Sequence, residues 1–167
     1  MAKKEVSAEN QQREQVGEMI KKIINSWNNA SRINALLNEW EETFGPEATD
    51  AAQELIAERT RKIWASVAER EESNTIKDLV RILWEPFRTH GAEFTVEEIE
   101  NGVQIYCTYC PIAEMYKKIK REEYGFLFNC SEDPYIVEGF NPDIEFHRTK
   151  TLMEGDNCCD HRYTMKK

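Results

Sequence analysis

The sequence predicts an α+β fold, a helical N-terminal half packed on a small antiparallel sheet of about four strands. Three observations carry this. Apolar residues recur at helical spacing from about residue 7 to 88. The period shortens to two from about residue 92 to 165. Between the first two strand-like runs sits Asn101-Gly102, the strongest short-range hairpin signal, because both residues accept positive φ. A chain of 167 residues without internal repeat, low-complexity tract or linker fits one domain, residues 1–167, around a single core.

The elements follow in order. Val16, Met19, Ile20, Ile23, Ile24 and Trp27 mark one face of a first helix, from Ser7, a suitable N-cap, to Asn29. After Ser31 a shorter helix carries Leu36, Leu37, Trp40 and Phe44 and stops at Gly45-Pro46. Pro46, at a first helical position, opens a long helix to about Glu72 whose inward face holds Ala48, Ala52, Leu55, Ile56, Ile63, Trp64 and Val67. A fourth, set off by Ser73-Asn74, runs through Ile76, Leu79, Val80, Leu83 and Trp84 and ends at Pro86. Tryptophans at these spacings read as core.

Ala92 to Glu98 and Val103 to Thr108 form the hairpin strands. Cys110-Pro111 opens a fifth helix to about Phe128, with Ile112, Met115, Tyr116 and Ile119 inward. A loop containing Cys130, Asp133-Pro134 and Asn141-Pro142 then leads to two last strands. These run from Ile144 to about Met153 and from Cys158 to Met165, turning at Glu154 to Asn157.

Charge narrows the function. Lys and Arg number 22 against 31 Asp and Glu, a net charge of −9, which disfavours a nucleic-acid partner. The charged N-terminus lacks the apolar stretch of a signal peptide. No run approaches the roughly 18 apolar residues of a membrane span. A cytoplasmic chain with no membrane partner is expected. Five cysteines, an odd number without an export signal, read as reduced thiols rather than a disulfide framework. The long amphipathic helices suit a homodimer and an internal core equally.

All five cysteines fall in the last third, with His147 and His161. Cys110, directly before Pro111, takes an N-cap position, where unpaired N–H groups and the helix dipole favour a thiolate. Cys107 completes a Cys-x-x-Cys, a spacing shared by redox pairs and zinc knuckles. No cofactor is required by any motif. A metal, if held, would draw on Cys107, Cys110, Cys130, Cys159 and His161.

Strand alternation puts Cys159, His161 and Tyr163 on one face and Cys158, Asp160 and Arg162 on the other. With the first set inward, Cys159 and His161 can meet Cys110 around one pocket, and a Cys beside a His is the minimal activated-thiol arrangement. The alternative is that both are simply buried, with His161 bonded to a backbone carbonyl. His147, alone on an edge strand, reads as surface.

Cys110-Pro111, Cys130, Asp133, Asn141-Pro142, Gly155-Asp156 and Cys159-Asp160 together resemble the L-2-amino-thiazoline-4-carboxylic acid hydrolase family, over about residues 30 to 165. This chain differs in carrying His161 where an aromatic commonly follows the Cys-Asp, and in adding Cys158. The resemblance implies a small-molecule substrate. Water adds to the amidine-like C2 of an aminothiazoline, ring sulfur departs, and N-carbamoyl-L-cysteine results.

Such chemistry needs a nucleophile, a proton donor and a cation for the substrate carboxylate. Cys110 or Cys159 would attack C2 or orient water, and His161 or Asp160 would move the proton. Arg148 or Arg162 would hold the carboxylate, with Asp133 and Asn141 also contacting substrate. Two other readings stand beside this one: a non-catalytic, sensor-like domain binding a small molecule or metal, and a dithiol redox protein using Cys107 and Cys110.

Overall fold

The computed structural model describes residues 30–45 and 47–167. The helix expected from Ser7 to Asn29 and the capping role of Pro46 lie outside them. The chain divides into two compact units, Met1–Thr43 and Phe44–Lys167. Helix α1 (Ala30–Phe44) ends at Gly45, whose φ of 66° is the left-handed conformation that terminates helices.

In the second unit, α2 (Glu47–Ala68) lies against α7 (Asp133–Phe140). Its buried residues are Ala57, Thr60 and Ala68, while Leu55 and Ile63, expected inward, are exposed. Small side chains decide which face docks, because α7 comes very close. A Cβ on Gly139 would sit 2.5 Å from the Arg61 carbonyl oxygen. Trp64 meets Phe140 edge to face across the same seam.

The fourth helix does not end at Pro86. It starts as α3 (Ile76–Leu79), widens into a π turn over Val80–Trp84 and continues as α4 (Glu85–Thr89). Thr75 caps it in a reciprocal box with Asp78. Proline lacks an N–H and crowds the preceding turn, and the π turn just before Pro86 absorbs that misfit. Trp84 is thereby held inside, 4% exposed.

Strands β1 (Glu93–Ile99), β2 (Gly102–Tyr109), β3 (Ile144–His147) and β4 (Cys159–Met165) form one antiparallel sheet in the order β1-β2-β4-β3. At the β1–β2 turn only Asn101 has positive φ, at 60°. Gly102 is needed for a different reason: a Cβ there would lie 1.9 Å from the Tyr163 carbonyl oxygen on β4. One sheet face is buried, through Val103, Ile105 and Cys107 of β2 and Cys159, His161 and Tyr163 of β4. A bulge where β1 enters the pairing, opposite Thr108, breaks the register just before Cys110 and turns the chain off the sheet.

Three further expectations change. The helix after Cys110 breaks in two, α5 (Pro111–Ile119) and α6 (Glu122–Phe128), because Lys120 takes a left-handed φ of 57°. The expected loop after Cys130 is a short 3-10 turn, Cys130–Glu132, leading into α7, with Pro134 in its first turn, where proline is tolerated. Ile136, Val137 and Phe140 then supply its buried side. Finally, β3 stops at His147 rather than near Met153. The Asp160 carboxylate draws the next stretch away by accepting the backbone N–H groups of Thr149 (2.8 Å) and Lys150 (2.6 Å).

Candidate functional site

A cavity of about 250 Å³ opens between the buried sheet face, the π turn and the 130–136 segment. Cys107, Cys110, Cys130, Cys159 and His161 all line it, together with Asp133 and Arg148. Each arrives from a different local cause. β2 and β4 pair Cys107 directly opposite Cys159, with His161 two residues further along the same face. The bulge and the start of α5 deliver Cys110. The first turn of α7 delivers Asp133, and the end of β3 releases Arg148.

One carboxylate oxygen organises the polar side. Asp133 Oδ2 receives the Arg148 guanidinium in an ion pair and is 3.2 Å from His161 Nε2. Arg148 also donates to the Cys130 carbonyl at 3.2 Å, and its guanidinium lies near the Phe126 and Phe146 rings. A carboxylate held by arginine only accepts, so the neutral imidazole carries its proton on Nε2. In the neutral ring, Nδ1 is then the lone-pair acceptor. It is buried without a hydrogen-bond partner, an uncommon condition for a polar atom in a folded protein.

The apolar side of the cavity comes from Leu83, Trp84, Phe87, Ile112, Ile136 and Met153. Trp84 donates from Nε1 to the Tyr163 hydroxyl at 3.2 Å and packs edge to face on His161, with centroids 4.8 Å apart. Trp84 therefore fixes the imidazole as well as the core. Sequence reasoning read it as core alone; the available signal was the tryptophan two residues before a proline inside a helical run.

Burial favours the protonated form of the cavity thiols. Cys110 Sγ accepts the Ala113 N–H at 3.4 Å, the expected N-cap bond, yet burial outweighs the helix terminus and pushes its thiol up. Burial likewise pushes Cys107 and Cys130 up to about 12, helped at Cys130 by the Asp133 charge. Cys159 is also raised by burial, although it accepts the Leu152 N–H at 3.2 Å. Cys107 donates to the Tyr109 carbonyl. All five cysteines are free, and among the described residues no three His, Cys, Asp or Glu side chains come together as a metal-ligand set.

Three expected site residues lie elsewhere. Asp160 points to the other face of β4 and clamps the 149–150 bend, its largest influence, desolvation, being outweighed by the bonds from Thr149 and Lys150 that lower its pKa. Arg162 shares that outer face and is exposed. Asn141 ends α7, donates to the Asn74 carbonyl at 2.7 Å and lines a separate surface groove. The exposed His147 likewise stays on its edge strand.

No helix among the described residues is long and apolar enough to cross a membrane. No curated protein matches the chain. Among solved structures, the phenol-responsive sensory domain of the transcription activator PoxR, with phenol, is similar at TM-score 0.51 and 10% identity, over 82% of this chain and 74% of that one. A trafficking protein particle complex subunit 3 from Naegleria fowleri, covalently bound to palmitic acid, is similar at TM-score 0.37 and 16% identity, over 90% of each chain. The sequence profile described as L-2-amino-thiazoline-4-carboxylic acid hydrolase matches residues 25–163, most of the chain, and the protein belongs to that family.

Proposed function

We propose that the cavity hydrolyses a small ring containing an amidine carbon bonded to sulfur, of the aminothiazoline type. The observation that carries this is His161 on the cavity wall, its Nδ1 buried and unpartnered and its Nε2 held by Asp133. Such a nitrogen is suited to take a proton from water as the water adds to the ring carbon. The C–S bond then breaks, the same nitrogen returns that proton to the departing sulfur, and the second water proton passes to the ring nitrogen. One water is consumed, and a urea-type group and a free thiol are formed. Asp133 keeps the imidazole in the required tautomer, and Trp84 keeps its ring in place. The protonated cavity thiols favour water over a cysteine as the attacking group.

The test is thiol release from 2-amino-thiazoline-4-carboxylate and from the same ring without its carboxylate, followed with a thiol-reactive dye. Release above the buffer rate, falling about 100-fold or more in His161→Gln, is the expected result. Wild-type protein that opens neither ring ends the proposal.

A second reading uses the same cavity without turnover: a small-molecule-binding, sensor-like domain. The apolar wall of Leu83, Trp84, Phe87 and Ile112 favours it. So does the fold shared with a domain described as phenol-responsive. Binding without ring opening would select this reading.

A further inference from the structure

We infer that Met153 is the specificity-determining wall of the cavity: it closes one end of the hollow and so limits the length of any molecule seated there. The inference rests on this cavity being the binding site, as both readings above have it, and on the chemistry of neither.

A second hollow lies on the other side of that residue. It is a groove of about 640 Å³ lined by Lys117 of α5, by Glu122, Glu123 and Phe126 of α6, and by the 153–155 segment. Among the described residues, Met153 alone lines both the groove and the cavity. It is only 2% exposed although it borders two hollows, so it is packed as a partition. The hollows also approach each other at a second point. The Phe126 ring, on the groove, has its centroid 5.5 Å from the guanidinium carbon of Arg148, on the cavity.

The backbone that carries Met153 is pinned, which makes its side chain the part that sets the wall. The residue sits on a 3-10 turn, Leu152–Glu154. Thr151 Oγ1 accepts the Met153 N–H at 3.2 Å, and Asp156 Oδ2 accepts the Thr151 N–H at 2.8 Å. Gly155 closes the turn in the left-handed conformation, with a φ of 96°. The thioether itself rests on α6 at Gly125, where a Cβ would come within 2.4 Å of Sδ and 2.7 Å of Cε. The missing side chain at Gly125 is therefore the seat of the partition. A backbone held in this way follows a truncated side chain only in part, so the vacated space stays open. Shortening Met153 joins the cavity to the groove, and the length limit goes with it.

The experiment labels the full native chain with methyl and with pentyl methanethiosulfonate, which transfer a methylthio or pentylthio group to a cysteine sulfur and release methanesulfinic acid. Adducts at Cys159 are followed by peptide mass spectrometry, and each rate is divided by that of the urea-unfolded chain. Cys159 is the reporter because its sulfur, on the cavity wall, accepts the Leu152 N–H, one residue from Met153. Wild type is expected to take the methylthio group at least about tenfold faster than the pentylthio group. Met153→Ala should bring the two rates within about threefold, chiefly by raising the pentyl rate. Met153→Val, a smaller truncation, should move the ratio part of the way, and it serves if the alanine variant does not fold. Cys158, which does not line the cavity, should keep the same ratio in every protein. Equal wild-type rates at Cys159 overturn the inference. A ratio unmoved in folded variants also overturns it, as does one that moves equally at Cys158. None of these outcomes depends on turnover: absence of thiol release from either ring removes the hydrolytic reading and leaves the length limit standing.

Discussion

Asp133 and His161, 28 residues apart in the chain, meet at 3.2 Å through one carboxylate oxygen and Nε2. The contact joins the first turn of α7 to the middle of β4, so helix docking and imidazole orientation are one event. It also divides the two ring nitrogens into a held donor and an open acceptor. In the proposed reaction the imidazole rather than sulfur moves the proton, and the cysteines line the wall.

Cys110→Ser and Cys159→Ser, made singly, are therefore expected to keep kcat/KM for ring opening within about threefold of wild type. A loss of about 100-fold in either, with folding intact, would move the attacking role to that thiol. The assay is the same release of free thiol.

Alkaline pH is expected to weaken the fold. An unfolded chain ionises Cys107 and Cys130 near 9.0, whereas burial holds both protonated to about 12 in the native state. Between those values the native state binds more protons than the unfolded one, so stability falls as pH rises. The slope is on the order of 1 kcal/mol per pH unit for each thiol. Urea midpoints between pH 8 and 11 read it directly. A Cys107→Ala, Cys130→Ala double variant should flatten the curve.

Much of the site was legible because strand alternation is strict. Cys159, His161 and Tyr163 face inward as a period of two requires, and Cys110 caps α5 as its proline neighbour requires. What stayed hidden depends on distant partners. Asp133-Pro134 looks like a loop until α2 offers Ala57 and Thr60 as a seat, when the same proline becomes a helix start. Arg148 reads as a free fork until Asp133 is beside it, and the Asp160 contacts to residues 149 and 150 have no local sequence signature.

Trp84→Phe should cost about 1–3 kcal/mol, because it strips the partner from the Tyr163 hydroxyl, on a residue only 1% exposed. Tyr163→Phe in the same background should recover part of the loss, and a double-mutant cycle in urea measures the coupling. A purely additive cycle would show that the pair acts independently.

Gly139→Ala tests the helix seam. Its new Cβ would meet the Arg61 carbonyl oxygen at 2.5 Å, the Arg61 Cα at 2.9 Å and the Trp64 Cβ at 3.0 Å, none of them the far end of a flexible side chain. A loss of about 1–3 kcal/mol is expected by thermal or urea denaturation. An unchanged midpoint would mean that α7 slides away from α2 at little cost.

The π turn also sets the angular phase of its helix. Leu79 and Trp84 are five residues apart, yet both are buried, whereas an ordinary helix would rotate the second about 140° from the first. Shortening Val80–Leu83 by one residue would restore regular winding and set the indole four positions after Leu79, about 40° round the helix, so the buried face would be kept. Tolerance to length change in this protein is thus governed by winding, and five consecutive positions hold the molecule's timing.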